Sequence, residues 1–328
     1  MEASKKINWT EKMNELGNAR IPFLFILDFE LKCPLIYTLD CVPFNILFKL
    51  NQIKNYTLSG TISKNLEFAK VSVSVDQYAG SFKSVMEELN YGNTFLINLT
   101  FPTEIITNYN LRELFNVSHA KYKLYFKDEF IVSSPESFIQ IVEDKIKTFP
   151  MKGTIDASIK NAGNIILHDP KETAEHYTIV DLLRNDLSMV ADNVRVERFR
   201  YLEEVHTSSK TLYQVSSEIT GQLDPDYPGR LGDIFKAILP AGSISGAPKK
   251  KTVEIIDQNE ICPRGFYTGI FGIFDGVNVD SGVMIRYIER VGDKLYYRSG
   301  CGITHQSDMH SEYNEMNEKV YVPVSRNN

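Results

Sequence analysis

Two short stretches place carboxylates on a helical repeat. In Lys171-Glu172-Thr173-Ala174-Glu175-His176 and beyond, Glu172, Glu175, Ile179 and Leu183 follow at spacings of three, four and four, so they share one helix face. The apolar end of that stripe must face the core, which aims its acidic end at the interior or at a cavity rim. Glu312, Glu315 and Lys319 repeat the arrangement at three and four. Two such acidic pairs on separate helices would suit a hard divalent cation, since magnesium takes oxygen ligands. The plainer alternative is two solvated faces, with Glu315 and Lys319 forming an i,i+4 pair worth about 0.3 kcal/mol. Neither segment alone decides between them, and the sequence does not establish that the helices meet. A second possible chemistry lies in Pro150-Met151-Lys152-Gly153-Thr154, with Glu136 upstream in Ser134-Pro135-Glu136. A lysine near a carboxyl can be a nucleophile beside a general acid if burial lowers one pKa and raises the other. By itself Lys152 reads as a surface lysine on a loop.

Other segments are weaker. Gly242-Ser243-Ile244-Ser245-Gly246-Ala247-Pro248-Lys249 lacks the glycine-lysine spacing of a phosphate loop, so nucleotide binding is not supported. Lys249, Lys250 and Lys251 do stand at a helix start, where positive charge opposes the macrodipole. A bound anion would resolve that conflict, and three exposed lysines tolerating it would serve equally well. Cys301 has no His–acid pair to activate it and reads as a small buried thiol. The six histidines show no metal-ligand spacing.

The elements that must position these groups follow from periodicity and turn chemistry. Strands are expected at 23–29, 35–37, 57–62, 71–75, 94–99, 121–126, 130–133, 138–142, 267–274, 283–288 and 294–299. Asp128-Glu129 closes a hairpin. Helices are expected over 76–89, from Asp169, after Gly246-Ala247-Pro248, and over 311–320. Asp169 suits an N-cap, Pro170 the first turn and Glu172 the reciprocal capping position. Antiparallel-looking strand runs with helices between them indicate an α+β fold.

The 328 residues are 43% hydrophobic and 24% charged, an ordinary globular profile with room for a large core. A net charge of −6 argues against non-specific nucleic-acid or anionic-membrane binding. Cys33, Cys41, Cys262 and Cys301 lack zinc or Cys-x-x-Cys spacing and read as reduced cytosolic thiols. No apolar stretch follows the first residues as in a signal peptide, and the apolar run ending before Asp28 is too short to span a bilayer. The expected location is the cytoplasm. The sequons at Asn8, Asn55, Asn98 and Asn116 then carry no meaning.

Taken in order, the segments above resemble the chorismate-utilising family, which includes anthranilate synthase component I, aminodeoxychorismate synthase component I, isochorismate synthase and salicylate synthase. The likeness spans 76–320. It adds Asn98-Leu99-Thr100, Asp181-Leu182-Leu183-Arg184-Asn185-Asp186, Ile285-Arg286, Ser299-Gly300-Cys301-Gly302-Ile303 and Glu312-Tyr313-Asn314-Glu315 to the motifs already given. It implies two facing antiparallel-rich β-sheets with flanking helices and a site between them. A short strand-rich region, 1–75, would pack on a chorismate-binding catalytic domain, 76–328.

The resemblance also implies roles. Glu175 and Glu315 would hold Mg2+, with Glu172 and Glu312 beside them through water. The enolpyruvyl carboxylate of chorismate would meet Arg286, Tyr267 and the backbone around Gly300, Cys301 and Gly302. Thr154, Gln214, Ser245, Gly246, Lys249 and Lys319 would complete the substrate lining. Lysine at 152 is the feature of the aminodeoxychorismate synthases, whose sister enzymes carry alanine there. It implies a covalent Lys152 adduct, with Glu136 as general acid and a lysine pKa depressed by its site. Ammonia would come from a separate glutamine amidotransferase subunit, since this chain has no Gly-x-Cys-x-Gly elbow. Three departures stand out. Gln214 occupies the place of a family histidine, which His206 does not fill; Asn93 replaces an aspartate; and a Leu-Leu-Glu-Ser segment is missing. The last makes tryptophan feedback doubtful. The competing readings are anthranilate, isochorismate or salicylate synthesis, and a silent chorismate-binding regulatory subunit.

Overall fold

Every residue of Phe23–Leu27 is apolar and buried, as a strand covered on both faces requires. The computed structural model, which describes residues 8–57, 64–206 and 211–323, shows what covers it. Phe23, Phe25 and Leu27 enter one hydrophobic cluster and Leu24 and Ile26 another, as the two-residue period of a strand dictates.

The strand belongs to a nine-stranded sheet. Its order is Met151–Asp156, Thr211–Gln222, Lys145–Thr148, Ser137–Val142, Val279–Val283, Ile270–Phe274, Phe23–Leu27, Leu35–Thr38, with Asp192–His206 on the free side of Thr211–Gln222. A second nine-stranded sheet runs Gly246–Ala247, Leu96–Thr107, Lys294–Ile303, Tyr287–Val291, Phe130–Ser134, Tyr122–Phe126, Ile46–Leu50, Ile53–Lys54, with Phe68–Val71 beside Leu96–Thr107. Both sheets pair antiparallel throughout the described residues. Residues before position 75 thus contribute strands to both.

The sheets face each other. Leu24, Ile26, Phe271 and Ile273 of the first share a core with Phe48, Leu124, Val132 and Tyr287 of the second. Helices close the outer faces. Leu111–Val117 covers Tyr125, Ile131 and Ile288 of the second sheet. Trp9–Asn18, Pro170–Ser188 and Leu231–Ile238 bury Met13, Ile179, Leu183 and Phe235 with Phe23 and Phe25 of the first. Val75–Asn90, Lys249–Asn259 and Met309–Glu318 join that cluster through Tyr78, Ile255 and Met316, against Leu99, Cys301 and Ile303. The α+β reading and its two facing sheets hold.

Caps account for the helix starts. Asp169 accepts from the Glu172 amide at 2.8 Å, with Pro170 in the first turn, and Asp308 accepts from the Ser311 amide at 2.9 Å. Ser74 caps Val75–Asn90 by accepting from the Gln77 amide. That cap ends the strand early: instead of 71–75 it is Phe68–Val71. The strand at 57–62 lies outside the described residues from Leu58 onward.

Three differences from expectation bear on the site. Lys152 is not on a loop but in the strand Met151–Asp156. The single strand expected over 283–288 is two, Val279–Val283 in the first sheet and Tyr287–Val291 in the second, and Met284, Ile285 and Arg286 cross between them. Arg286 turns that corner at φ 51°. Tyr267 precedes its strand, Ile270–Phe274, in a turn whose Thr268 also has positive φ.

Candidate active site

Where the sheets meet, a cavity of about 560 Å³ opens. Its wall takes Asn98 and Gly300 from paired strands of the second sheet, Lys152 from the first, Arg286 from the crossover, and the loop 242–246. The loop comes close because Gly246 has no side chain: at φ 136°, a Cβ there would lie 1.9 Å from the Leu96 carbonyl oxygen.

One end of the cavity is cationic. Arg286, Tyr267, Lys319, Gly300, Gly302, Ser245 and Gly246 all line it. Arg286 donates to the Lys319 carbonyl at 3.1 Å, and its guanidinium lies 4.9 Å from the ring centre of Tyr321. Lys319 bonds the Gly300 carbonyl at 3.0 Å and pairs with Glu315 at 2.8 Å. Glu136 faces these cations. Burial pushes its carboxyl above the ordinary range, against the Ser243 hydrogen bond and the charges of Arg286 and Lys319 that pull it down. Ser243 donates to its Oε1 at 2.7 Å.

Lys152 and Glu175 line another part of the cavity, while Glu172, Glu312 and Glu315 lie outside its wall. The Lys152 Nζ is 2.6 Å from Glu175 Oε2. Burial works to lower its pKa, but Glu175, Glu315 and Glu172 outweigh burial and raise it. This corrects the expectation of a depressed lysine: with its carboxylates free, the amine is held protonated. Lys152 in turn pulls Glu172, Glu312 and Glu315 down, so carboxylates of both helices lie within its field. Glu312 is buried, accepts from Ser307 at 2.9 Å, and is pushed up by burial.

A cation fits here on one particular ground. Glu172 Oε2 is buried without a hydrogen-bond partner, in space kept open by Gly153, where a Cβ at φ 89° would lie 2.9 Å from it. The ligand atoms of Cys301, Glu312 and Glu315 lie within 4.8 Å of one another. Cys301 itself is buried, donates to the Glu312 carbonyl at 3.4 Å, and has its thiol pushed up to about 12 by burial.

Other sequence candidates stand elsewhere. Lys249 does not reach the cavity: it pairs with Asp186 at 2.8 Å, donates to the Ile238 carbonyl at 2.6 Å, and lines a neighbouring cavity. The conflict of lysines at a helix start is thus met for Lys249 by a protein carboxylate. Thr154 is exposed, and it and its cross-strand partner Gln214 lie outside the wall.

Several residues escaped sequence reasoning. Ser243 was legible only as a loop serine, and nothing local tied it to Glu136. Arg298 and Ser299 are buried and line the cavity beside Gly300, and His305 lines it as well. Arg264, fully covered, bonds Glu260 through two nitrogens and grips the carbonyls of Asn98 at 2.5 Å and Ile244 at 2.7 Å, so it ties two walls together. His176 lies behind Lys152, buried, with its imidazole pulled down to about 4 by burial and the Arg200 charge. Among the described residues no helix is long and apolar enough to cross a membrane.

Two facing sheets thus enclose a cavity lined by Arg286 and Lys319 on one part and by Lys152 and Glu175 on another. Residues 47–325 match the family model for chorismate binding enzymes, and the chain belongs to that family. It is 46% identical over 325 residues to an uncharacterized PabA-like protein of Haemophilus influenzae, covering 99% of each chain. It is 30% identical over 263 residues to aminodeoxychorismate synthase component 1 of Bacillus subtilis, covering 75% of this chain and 54% of that one. Thus it spans about half the length of the Bacillus protein. Anthranilate synthase component I from Streptococcus pneumoniae superposes with a TM-score of 0.66 at 26% identity, over 78% of this chain and 59% of that one.

Proposed function

We propose that this protein converts chorismate and ammonia to 4-amino-4-deoxychorismate, in the supply of para-aminobenzoate for folate. The observation that carries the reading is Lys152, an amine on the cavity wall between the two acidic helices, with Glu136 on the same wall.

The cationic end, with Arg286, Lys319 and the glycine backbone of 300 and 302, suits a carboxylate of the substrate. Glu172, Glu175, Glu312 and Glu315 offer the hard oxygen donors that suit Mg2+. When bound, Mg2+ would draw electron density from the ring through the ring carboxylate. Glu175, Glu315 and Glu172 hold the proton on Lys152 against burial, so the amine would become neutral only where their charge is taken up by another cation.

Neutral Lys152 forms a bond to ring C2, both ring double bonds shift round the ring, from C1=C2 to C1=C6 and from C5=C6 to C4=C5, and the C4–O bond breaks. Glu136, kept protonated by burial, gives its proton to the departing hydroxyl, which leaves as water. Ammonia then bonds to C4, both double bonds shift back, the C2–N bond breaks, and a proton from the new C4 ammonium returns to Glu136. Two displacements place nitrogen on the carbon that lost oxygen. Relatives named as a component 1 support the reading that a separate glutamine amidotransferase subunit supplies the ammonia, in the cytoplasm.

The test is mass spectrometry of the protein trapped with chorismate and magnesium, which should show an adduct on Lys152. Product analysis with ammonium is its companion. Anthranilate or isochorismate as the main product would overturn the reading, and tight chorismate binding without turnover would favour a silent regulatory subunit.

A further inference from the structure

The strand Thr211–Gln222 is flanked by a bulge on each side, one opposite Val215 and the other opposite Ser217. Toward Met151–Asp156 the register runs Met151 with Ser216 and then Thr154 with Gln214, so Lys152 and Gly153 together oppose one residue. Toward Asp192–His206 it runs Arg198 with Glu218 and then Tyr201 with Ser216, so Phe199 and Arg200 do the same. Arg200 takes φ 47° there. A bulge leaves peptide groups without a ladder partner, and buried peptide groups must find one elsewhere.

Ser217 lies opposite the second bulge, and on its other edge its amide donates to the Pro150 carbonyl at 3.0 Å. Its Oγ accepts from the freed Arg200 amide at 2.9 Å and lies 2.7 Å from His176 Nε2. Ser217 and His176 are both fully buried. Were Nε2 the donor, the serine proton would have no acceptor among the described residues, while Nδ1 would be left buried with an unmet lone pair. The economical arrangement has the serine donate to Nε2, which leaves the imidazole proton on Nδ1. That nitrogen is also buried, and it faces the Lys152 peptide without a hydrogen bond of ordinary geometry.

We propose that His176 is a positioning residue for Lys152. On substrate engagement its Nδ1–H closes onto the peptide carbonyl of the bulged lysine and fixes the direction in which the amine projects. Hydrogen bonds of this sort are commonly long in a free enzyme and tighten in its complex. The bridge from Arg200 through Ser217 and His176 to Lys152 thus lets one bulge brace the other. The inference rests on the reading of Lys152 as a nucleophile.

The test compares three variants. An asparagine amide reaches the place of Nδ1, whereas a glutamine amide reaches that of Nε2. His176→Asn should keep kcat within a few-fold, while His176→Gln and His176→Ala should lose on the order of tenfold to a hundredfold. Chorismate affinity, measured by direct titration, should hold in all three. In a Lys152→Ala background His176→Ala should cost nothing more. Nitrogen-15 NMR of the histidine ring in the wild type should show the proton on Nδ1. A proton on Nε2, or glutamine serving as well as asparagine, overturns the proposal whether or not the alanine variant folds. A wild type that turns over chorismate without a Lys152 adduct overturns instead the reaction on which it rests.

Discussion

Lys152 and Glu175 occupy each other: the amine that would attack and the carboxylate that would bind the metal are an ion pair at 2.6 Å. Each must give up the other before either can work. Replacing Glu175 by Gln should therefore weaken magnesium binding and lower the Lys152 pKa together. The carboxylates raise that pKa, so at a given pH less of the amine is neutral than in an ordinary lysine. Peptide mass spectrometry after an amine-reactive reagent should show faster Lys152 labelling in Glu175→Gln than in the metal-free wild type. Equal rates would show that the pair does not hold the proton.

Lys152→Ala should abolish amination, with kcat reduced by about 10³-fold or more, while chorismate affinity holds. Steady-state kinetics and direct titration check the two halves separately. Unchanged turnover would exclude the covalent route.

Glu136→Gln should reduce kcat by about 10²–10⁴-fold, the usual contribution of a general acid. The wild-type profile should decline as pH rises through the Glu136 pKa, because the protonated form is the one needed. That limb should lie above the ordinary carboxylate range, since burial raises this carboxyl. Ser243→Ala removes a hydrogen bond that pulls the pKa down, and should move the limb to higher pH.

Gly153→Ala should be costly twice over. Its φ of 89° disfavours any side chain, at about 1–3 kcal/mol, which denaturant unfolding would measure. The added methyl would also meet Glu172 Oε2, so the magnesium requirement should rise, as a metal titration of activity would show.

Arg264→Met would leave Glu260 buried without its cation. A loss of about 3–5 kcal/mol in unfolding free energy is expected. The walls carrying Asn98 and Ile244 should loosen with it, raising KM for chorismate.

The sequence showed the parts of this site that are local and hid those made by distant pairing. Asp169 and Pro170 announce their helix by cap chemistry, and the stripe from Glu172 to Leu183 shows its face, so the acidic end was legible. The strands Asp192–His206 and Thr211–Gln222 were not. The first alternates Val194 and Val196, then Phe199 and Tyr201, with charged residues, but the bulge between these two sets shifts the phase and breaks the period. Missing that pair hid the bulge that holds Lys152, and so made a strand residue look like a loop residue. Lys249 was misplaced for a related reason: the helix-start conflict was real, but Asp186, from another helix, answers it. The Ser243–Glu136 contact joins segments far apart in the chain, and no local pattern could announce it.

The crossing at Met284, Ile285 and Arg286 has an engineering consequence. One short length of backbone leaves the first sheet, enters the second, and presents the Arg286 guanidinium to the cavity on the way. Sheet docking and the placing of that guanidinium, the proposed grip on the substrate, are therefore a single mechanical part. Repacking the interface around Tyr287 or Phe271 to gain heat resistance would shift the grip as well, and a gain in one should be read against a change in the other.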